Sequence, residues 1–160
     1  MARIKQFILD VMAPLRRMDQ SIPARYLGPR EKEQLSLLRR AEILHVIAVA
    51  RSMESLLRQI PQGMELLQSE RELIVKASLL HDVGKVHYAA GPIRKTLAVL
   101  LDKTLEGKTD ASAVALTRWK TVDIYRNHPE YGYRIVSDLN SFPGVPYLED
   151  LIRYHHKPWL

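Results

Sequence analysis

The sequence predicts an all-α fold, a single-domain helical bundle. Apolar residues recur at helical spacing along most of the chain, and no segment keeps the period-two alternation of a β-strand. Several prolines stand where helices typically begin, because the missing N–H costs nothing there. A length of 160 residues fits one domain and is enough to bury a core without staples.

Composition narrows the class of protein. Apolar residues make up 46% of the chain and charged residues 26%, as in ordinary soluble globular proteins. The absence of cysteine excludes disulfides and thiolate metal sites, leaving His, Asp and Glu as strong metal ligands. No apolar run is long enough for a membrane span, and the N-terminus lacks the apolar region of a signal peptide. We therefore expect a cytoplasmic protein.

Positive charge is concentrated at the front of the chain. The net charge is +6, and residues 1–40 hold nine Lys/Arg against four Asp/Glu. Residues 3–13 predict a short amphipathic helix, and residues 18–24 predict a polar connector. We assign residues 1–28 to this basic front and residues 29–160 to the helical domain. The front is either a solvated face or a contact surface for nucleic acid, a membrane or an acidic partner.

Residues typical of helix ends predict the first two helices of the domain. Pro29 opens a helix whose first turn suits Glu31. The apolar run over residues 35–57 is long for one helix, so we expect two helices that divide near Arg39-Arg40. The second helix carries His45 on its inward stripe. Such a histidine is either a hydrogen-bonded core residue or a metal ligand.

The middle of the chain predicts a central helix. Residues 60–63 break the preceding helix, and Ser69 with Glu72 forms a capping box that starts the next one. This helix is apolar on most faces over residues 74–80, so we expect it at the centre of the domain. The segments that follow are predicted as a turn at 89–92, a helix over 93–105, a polar loop over 106–110 and a helix over 114–125.

The last third of the chain places histidines at helix ends. Pro129 is predicted to start a helix, with His128 at or just before its N-cap. Residues 140–146 are predicted as a loop. Pro146 opens the last helix, which ends in the vicinal pair His155-His156.

The segment His81-Asp82-Val83-Gly84-Lys85 stands at the end of the central helix. Adjacent helical side chains diverge by about 100°, so they serve one site only where the helix opens onto a cavity or stops, and Gly84 is predicted to supply the stop. Imidazole and carboxylate suit a divalent ion, and the lysine can hold an anionic oxygen. The alternative is a capped helix end with the histidine buried.

Five of the six histidines are predicted on inward faces or at helix ends, each able to reach a shared cavity. They are His45, His81, His128, His155 and His156. The order His, His-Asp-x-Gly-Lys, His-Pro-Glu, His-His resembles the HD-domain superfamily of metal-dependent phosphohydrolases, nearest to its binuclear branch. The resemblance covers the chain from Pro29 to its end and leaves the basic front outside.

The resemblance implies a role for each matching residue. His45, His81 and Asp82 would bind a first divalent ion, and Asp82 would bridge to a second ion. His128, His155 and His156 would bind that second ion. The pair of ions would be Fe, Mn, Mg, Zn, Co or Ni.

The resemblance also implies the reaction. Asp82 and Lys85 would be the catalytic residues, with Lys85 steadying the substrate phosphate or a bound hydroxide. The expected activity is hydrolysis of a phosphomonoester or phosphodiester in a small molecule such as a nucleotide. Two close cations suit this chemistry, because they activate water and clamp phosphoryl oxygens.

Two features depart from the superfamily pattern. Its members normally close the first site with an aspartate beyond the His-His pair, whereas Asp123, Asp138 and Asp150 all precede that pair. Either the chain is a truncated form or the first site has one fewer protein ligand. The Gly-Tyr-Pro segment of the cyclic-dinucleotide branch is also missing, so that specificity is not implied. Glu42 and Glu130 either extend the ligand set or are exposed helical residues.

Two other functions remain open at this point. The missing aspartate also fits a catalytically inactive HD-type module that binds a nucleotide or a protein partner. The basic front also fits a helical nucleic-acid-binding domain, although no nucleic-acid motif accompanies it. No pattern indicates the oligomeric state.

Overall fold

The structure, a computed structural model, describes residues 18–59, 68–87 and 120–157. These ranges contain a 3₁₀ helix, Val83–His87, and six α-helices: α1 Ser21–Tyr26, α2 Pro29–Ser36, α3 Arg40–Arg58, α4 Gln68–Leu80, α5 Lys120–Asp138 and α6 Pro146–Tyr154. They contain no strand, which confirms the all-α fold class. No helix in them is both long enough and apolar enough to cross a membrane.

Several sequence predictions lie outside the described residues. They are the helix over 3–13, the break at 60–63, the turn at 89–92, the helix over 93–105, the loop over 106–110 and the first part of the helix over 114–125.

The predicted connector over residues 18–24 is wrong, because α1 begins within it. Asp19 accepts the backbone N–H of Ser21 at 2.9 Å, and Ile22 and Pro23 are buried. A segment with few apolar residues thus forms a helical turn because two of its side chains enter the core.

The division into α2 and α3 is confirmed. Helix α2 begins at Pro29, and Glu31 Oε2 accepts the N–H of Gly28 at 2.7 Å, which satisfies a donor at the helix N-terminus. Helix α2 ends at Ser36 and α3 begins at Arg40, as the length of the apolar run predicted.

Helix α4 is central, as predicted. The capping box predicted at its start is not formed. Val75, Leu79 and Leu80 are at most 2% exposed. Ser69 already lies inside the described helix, and Glu72 accepts a 2.9 Å hydrogen bond from the side chain of Gln68. The serine therefore does not cap this helix.

The predicted helix start at Pro129 is also wrong, since Pro129 lies inside α5. A proline there removes one helical hydrogen bond. Contacts on both sides of it hold the helix together: Asp123 accepts hydrogen bonds from Asn127 at 2.6 Å and from Tyr131 at 2.7 Å. His128 is consequently a mid-helix residue and not a cap.

The turn between α5 and α6 matches the predicted loop. Asn140 and Gly144 adopt positive φ angles of 50° and 76°, and α6 begins at Pro146. Phe142 points inward and is 2% exposed. Phe142 belongs to a core that also contains residues of α3, α4 and α6. These include Val46, Leu79, Leu80, Leu148 and Ile152.

Candidate metal centre

His81 and Asp82 follow the end of α4 directly and precede the 3₁₀ helix. Gly84 does not stop α4, because the helix has already ended at Leu80. Its role is a close approach to α5: a Cβ on Gly84 would lie 1.9 Å from the carbonyl oxygen of His128. The lack of a side chain at Gly84 therefore lets the segment with Asp82 reach the helix with His128.

Sequence reasoning missed the second glycine of this contact. The same Cβ on Gly84 would lie 2.5 Å from the backbone nitrogen of Gly132, which is buried in α5. A glycine within a helical pattern costs about 1 kcal/mol relative to alanine. That cost was the available signal that residue 132 has a packing role.

Asp82 lies at the centre of the site and is 2% exposed. Its Oδ2 atom lies 2.6 Å from Lys85 Nζ, 3.5 Å from His81 Nε2 and 3.7 Å from His45 Nε2. We call His45, His81 and Asp82 the first donor group.

The other oxygen of Asp82 faces a different set of imidazoles. Its Oδ1 atom lies 3.4 Å from His128 Nε2 and 3.6 Å from His155 Nε2. His128 Nε2 in turn lies 3.1 Å from His156 Nε2. We call Asp82, His128, His155 and His156 the second donor group; within each group the donor atoms lie within 4.8 Å of one another.

Hydrogen bonds to backbone carbonyls determine the tautomer of two of the imidazoles. His81 Nδ1 lies 2.9 Å from the carbonyl oxygen of Ser78, and His155 Nδ1 lies 2.6 Å from that of Ile152. A carbonyl only accepts, so each Nδ1 carries a proton, and the neutral form of each ring has its lone pair on Nε2. That is the nitrogen that faces Asp82, as in metal-ligating histidines held by a backbone carbonyl.

The charges of the site suit cation binding. Burial lowers the pKa of His81, and desolvation together with the neighbouring His155 and His128 lowers the pKa of His156 to about 4. Both rings are therefore neutral near pH 7. Burial alone would raise the pKa of Asp82, but the contact with His128 and the charge of Lys85 hold it well below its usual range.

The donor set fits a divalent ion. Among the described residues, Asp82 Oδ1 and His155 Nε2 are buried without a hydrogen-bond partner. Buried polar atoms normally have a partner, and a bound ion would supply one to both of these atoms. Ligand bonds of about 2.1 Å place two donors about 3.0 to 3.4 Å apart around one ion. The observed spacings to Asp82 Oδ1 are close to this range and are long for hydrogen bonds.

His45 is placed differently from its predicted inward position. Its side chain is 42% exposed, because the buried face of α3 is formed by its neighbours Val46, Ile47 and Ala50. The His45 ring nevertheless lies 5.5 Å from the His81 ring, centroid to centroid. His45 therefore stands at the rim of the first donor group.

No further carboxylate joins the two donor groups within the described ranges. Glu42 is buried and therefore fits neither alternative given for it; its Oε1 lies 3.9 Å from Arg39 Nη1. Glu130 forms a 2.7 Å ion pair with Arg153. Asp123 is hydrogen-bonded within α5, as described above, and Asp138 and Asp150 are exposed.

Comparison with known proteins identifies the family. The family model for the HD domain matches residues 43–160, well over half of the chain. No curated protein and no solved structure matches the chain. HD domains typically bind divalent metals, and most members of the family are metal-dependent hydrolases. By the extent of this match, the chain belongs to the HD domain family.

Proposed function

We propose that this protein is a metal-dependent phosphohydrolase that cleaves a phosphomonoester or phosphodiester in a small molecule such as a nucleotide. The observation that carries the proposal is the division of Asp82 between two donor groups, one at each carboxylate oxygen. Family membership supplies the reaction class.

The proposed ligands follow the donor groups. His45, His81 and Asp82 would hold one divalent ion, and Asp82, His128, His155 and His156 would hold the other. Two such ions, when bound, lower the pKa of water and neutralise the oxygens of a phosphoryl group. The protein contributes neutral imidazoles, fixed tautomers and a carboxylate that stays ionised in a buried position.

Lys85 would have two roles in this centre. Its Nζ atom lies 2.6 Å from Asp82 Oδ2, so it orients the carboxylate. Its side chain is 19% exposed, and in the proposed role the ammonium group also contacts an oxygen of the substrate phosphate. A compact ammonium group suits this contact as a point charge.

The proposal is tested by metal-dependent hydrolysis. The purified protein is assayed with an aryl phosphomonoester and an aryl phosphodiester, supplied in turn with Mn²⁺, Fe²⁺, Mg²⁺ and Zn²⁺. We expect turnover that chelators abolish and that Asp82→Asn reduces at least about 100-fold, since outer-shell partners of a metal alone contribute 10- to 100-fold. Asp138→Asn, at an exposed carboxylate on α5, is the matched control and should retain full activity.

A second candidate is a catalytically inactive HD-type module that binds a nucleotide. It is favoured by the small first donor group, which has three side chains, one of them the half-exposed His45. This candidate predicts that a nucleotide raises the melting temperature of the protein without being hydrolysed. Metal-dependent turnover of the same nucleotide would rule it out.

A further inference from the structure

A buried network of charges lies outside the two donor groups. Lys76 Nζ lies 2.7 Å from Glu31 Oε1 and donates a 2.9 Å hydrogen bond to the carbonyl oxygen of Ser141. The side chains of Lys76 and Glu31 are only 19% and 8% exposed. The other oxygen of Glu31 accepts the N–H of Gly28. Three segments that are distant in sequence therefore meet at one ammonium group.

The network joins the segments that supply the two donor groups. Lys76 lies on α4, little more than one turn before His81. Ser141 lies in the turn between α5, which carries His128, and α6, which ends next to His155. Lys76 is thus a direct polar link between these two parts of the chain.

The turn that Lys76 holds has a well-defined conformation. Ser141 N–H donates to the carbonyl oxygen of Val136, and Asn140 N–H to that of Ser137, both at 2.9 Å. Phe142 is buried in the core, and Lys76 Nζ lies 5.7 Å from the centroid of its ring. A displacement of Ser141 would therefore move the start of α6 with it.

Stability alone is a weak explanation for this network. A buried ion pair is often no more stabilising than a well-packed apolar pair of similar volume, because both charges lose their hydration. Its best-attested use is to specify the register between elements, since charged hydrogen bonds require defined distances and directions. The network at Lys76 connects elements whose register decides the geometry of the donor groups.

We propose that Lys76 is a positioning residue: by joining Glu31 to Ser141, it sets the position of His155 and His156 relative to Asp82. The inference rests on the proposed metal-binding function. Metal sites tolerate deviations of only about 0.2 Å in ligand distance. A small shift of α6 would therefore weaken the second donor group while the fold is retained.

The test separates positioning from stability with three variants. Lys76→Met leaves the Glu31 charge buried without its partner, so it should lower both stability and Mn²⁺ affinity. The double variant Lys76→Met/Glu31→Gln removes that charge and should regain stability. It should nevertheless keep a loss of about tenfold in Mn²⁺ affinity, similar to the loss of an outer-shell partner. Leu57→Ala is the control. It opens a cavity in the core near the C-terminal end of α3, whereas His45 lies near the N-terminal end of that helix.

The readouts are the unfolding midpoint, Mn²⁺ affinity by titration, and the imidazole NMR signals of His155 and His156 in the metal-free protein. We expect both variants at Lys76 to shift these signals, whereas Leu57→Ala lowers the midpoint without shifting them. Mn²⁺ affinity that recovers with stability in the double variant, or unchanged imidazole signals, would overturn the positioning role. If the wild type binds no Mn²⁺ or other divalent ion, the proposed function fails, and the imidazole signals still decide whether Lys76 positions the two histidines.

Discussion

The two donor groups share Asp82 but differ in what surrounds it. The first group has two imidazoles, and Lys85 already lies 2.6 Å from the carboxylate oxygen that faces it. The second group has three imidazoles around an oxygen that lacks a hydrogen-bond partner among the described residues. Each group has one exposed histidine, His45 in the first and His156 in the second, but the second group also contains His128, which is only 3% exposed.

Residue types alone therefore do not rank the two metal sites by affinity. A cation at the first group competes with the ammonium of Lys85 for Asp82 Oδ2. The positive charge of Lys85 also repels the cation. At the second group the buried Asp82 oxygen and the Nε2 atom of His155 gain a partner when an ion binds. We therefore expect the second group to bind its ion more tightly than the first.

The largest effect is expected from Gly84→Ala, which separates the two groups. The new methyl group would lie 1.9 Å from the carbonyl oxygen of His128, so α5 must move away from Asp82. Because the obstacle is backbone, we expect a loss of at least about 3 kcal/mol in unfolding free energy, the upper end for overpacking. Chemical denaturation measures it.

Gly28→Ala is the matched control for that substitution. The atom nearest to its added Cβ would be Glu31 Oε2 at 3.5 Å, an ordinary contact. A loss of stability as large for Gly28→Ala as for Gly84→Ala would refute the close-approach explanation.

A smaller effect is expected from His128→Gln, which acts on the second group. The buried ring contacts both Asp82 and His156, so its removal should cost one bound ion and about 1 to 3 kcal/mol of stability in the metal-free protein. Metal content and thermal unfolding report the two losses. Retention of both ions by this variant would show that His128 is not a ligand.

His45→Gln tests the first donor group. Because His45 stands half-exposed at the rim, we expect a change below about 0.5 kcal/mol in the stability of the metal-free protein. The variant should lose the more weakly bound ion and keep the tighter one, which a competitive chelator titration detects. Loss of the tighter ion first would reverse the ranking of the two groups.

A further prediction concerns how the stability of the metal-free protein depends on pH. The pKa of His156 is about 4 in the folded state, whereas an unperturbed histidine has a pKa of 6.5. Between these values the unfolded chain binds more protons, so stability is retained above about pH 6.5 and falls as the pH drops toward 4. His156→Gln should flatten this part of the curve, whereas an unchanged curve would contradict the lowered pKa.

Local chemistry explains what could be predicted from the sequence. Helices α2 and α6 begin at Pro29 and Pro146, and Glu31 accepts the N–H of Gly28 at the start of α2. These helix starts could be predicted because they depend on neighbouring residues only. The candidate metal ligands were found because His and Asp are the side chains that divalent ions bind. Their order along the chain then matched the HD pattern.

Long-range packing explains what could not be predicted. Pro129 lies inside α5, where the 3₁₀ helix packs closely through Gly84 and Gly132. Neither the half-exposed position of His45 nor the burial of Glu42 follows from the spacing of apolar residues. The link from Lys76 to Ser141 joins segments far apart in the sequence, and no local pattern indicates it.

The most direct test of the shared carboxylate is the number of divalent ions bound per chain by the wild type and by Asp82→Asn. Elemental analysis after loading with Mn²⁺ and removal of free ion measures it. We expect two ions in the wild type and the loss of both in Asp82→Asn, because each oxygen of Asp82 belongs to one donor group. A wild type that binds no ion, or an Asp82→Asn variant that keeps two, would show that Asp82 is not a carboxylate shared by two metal sites.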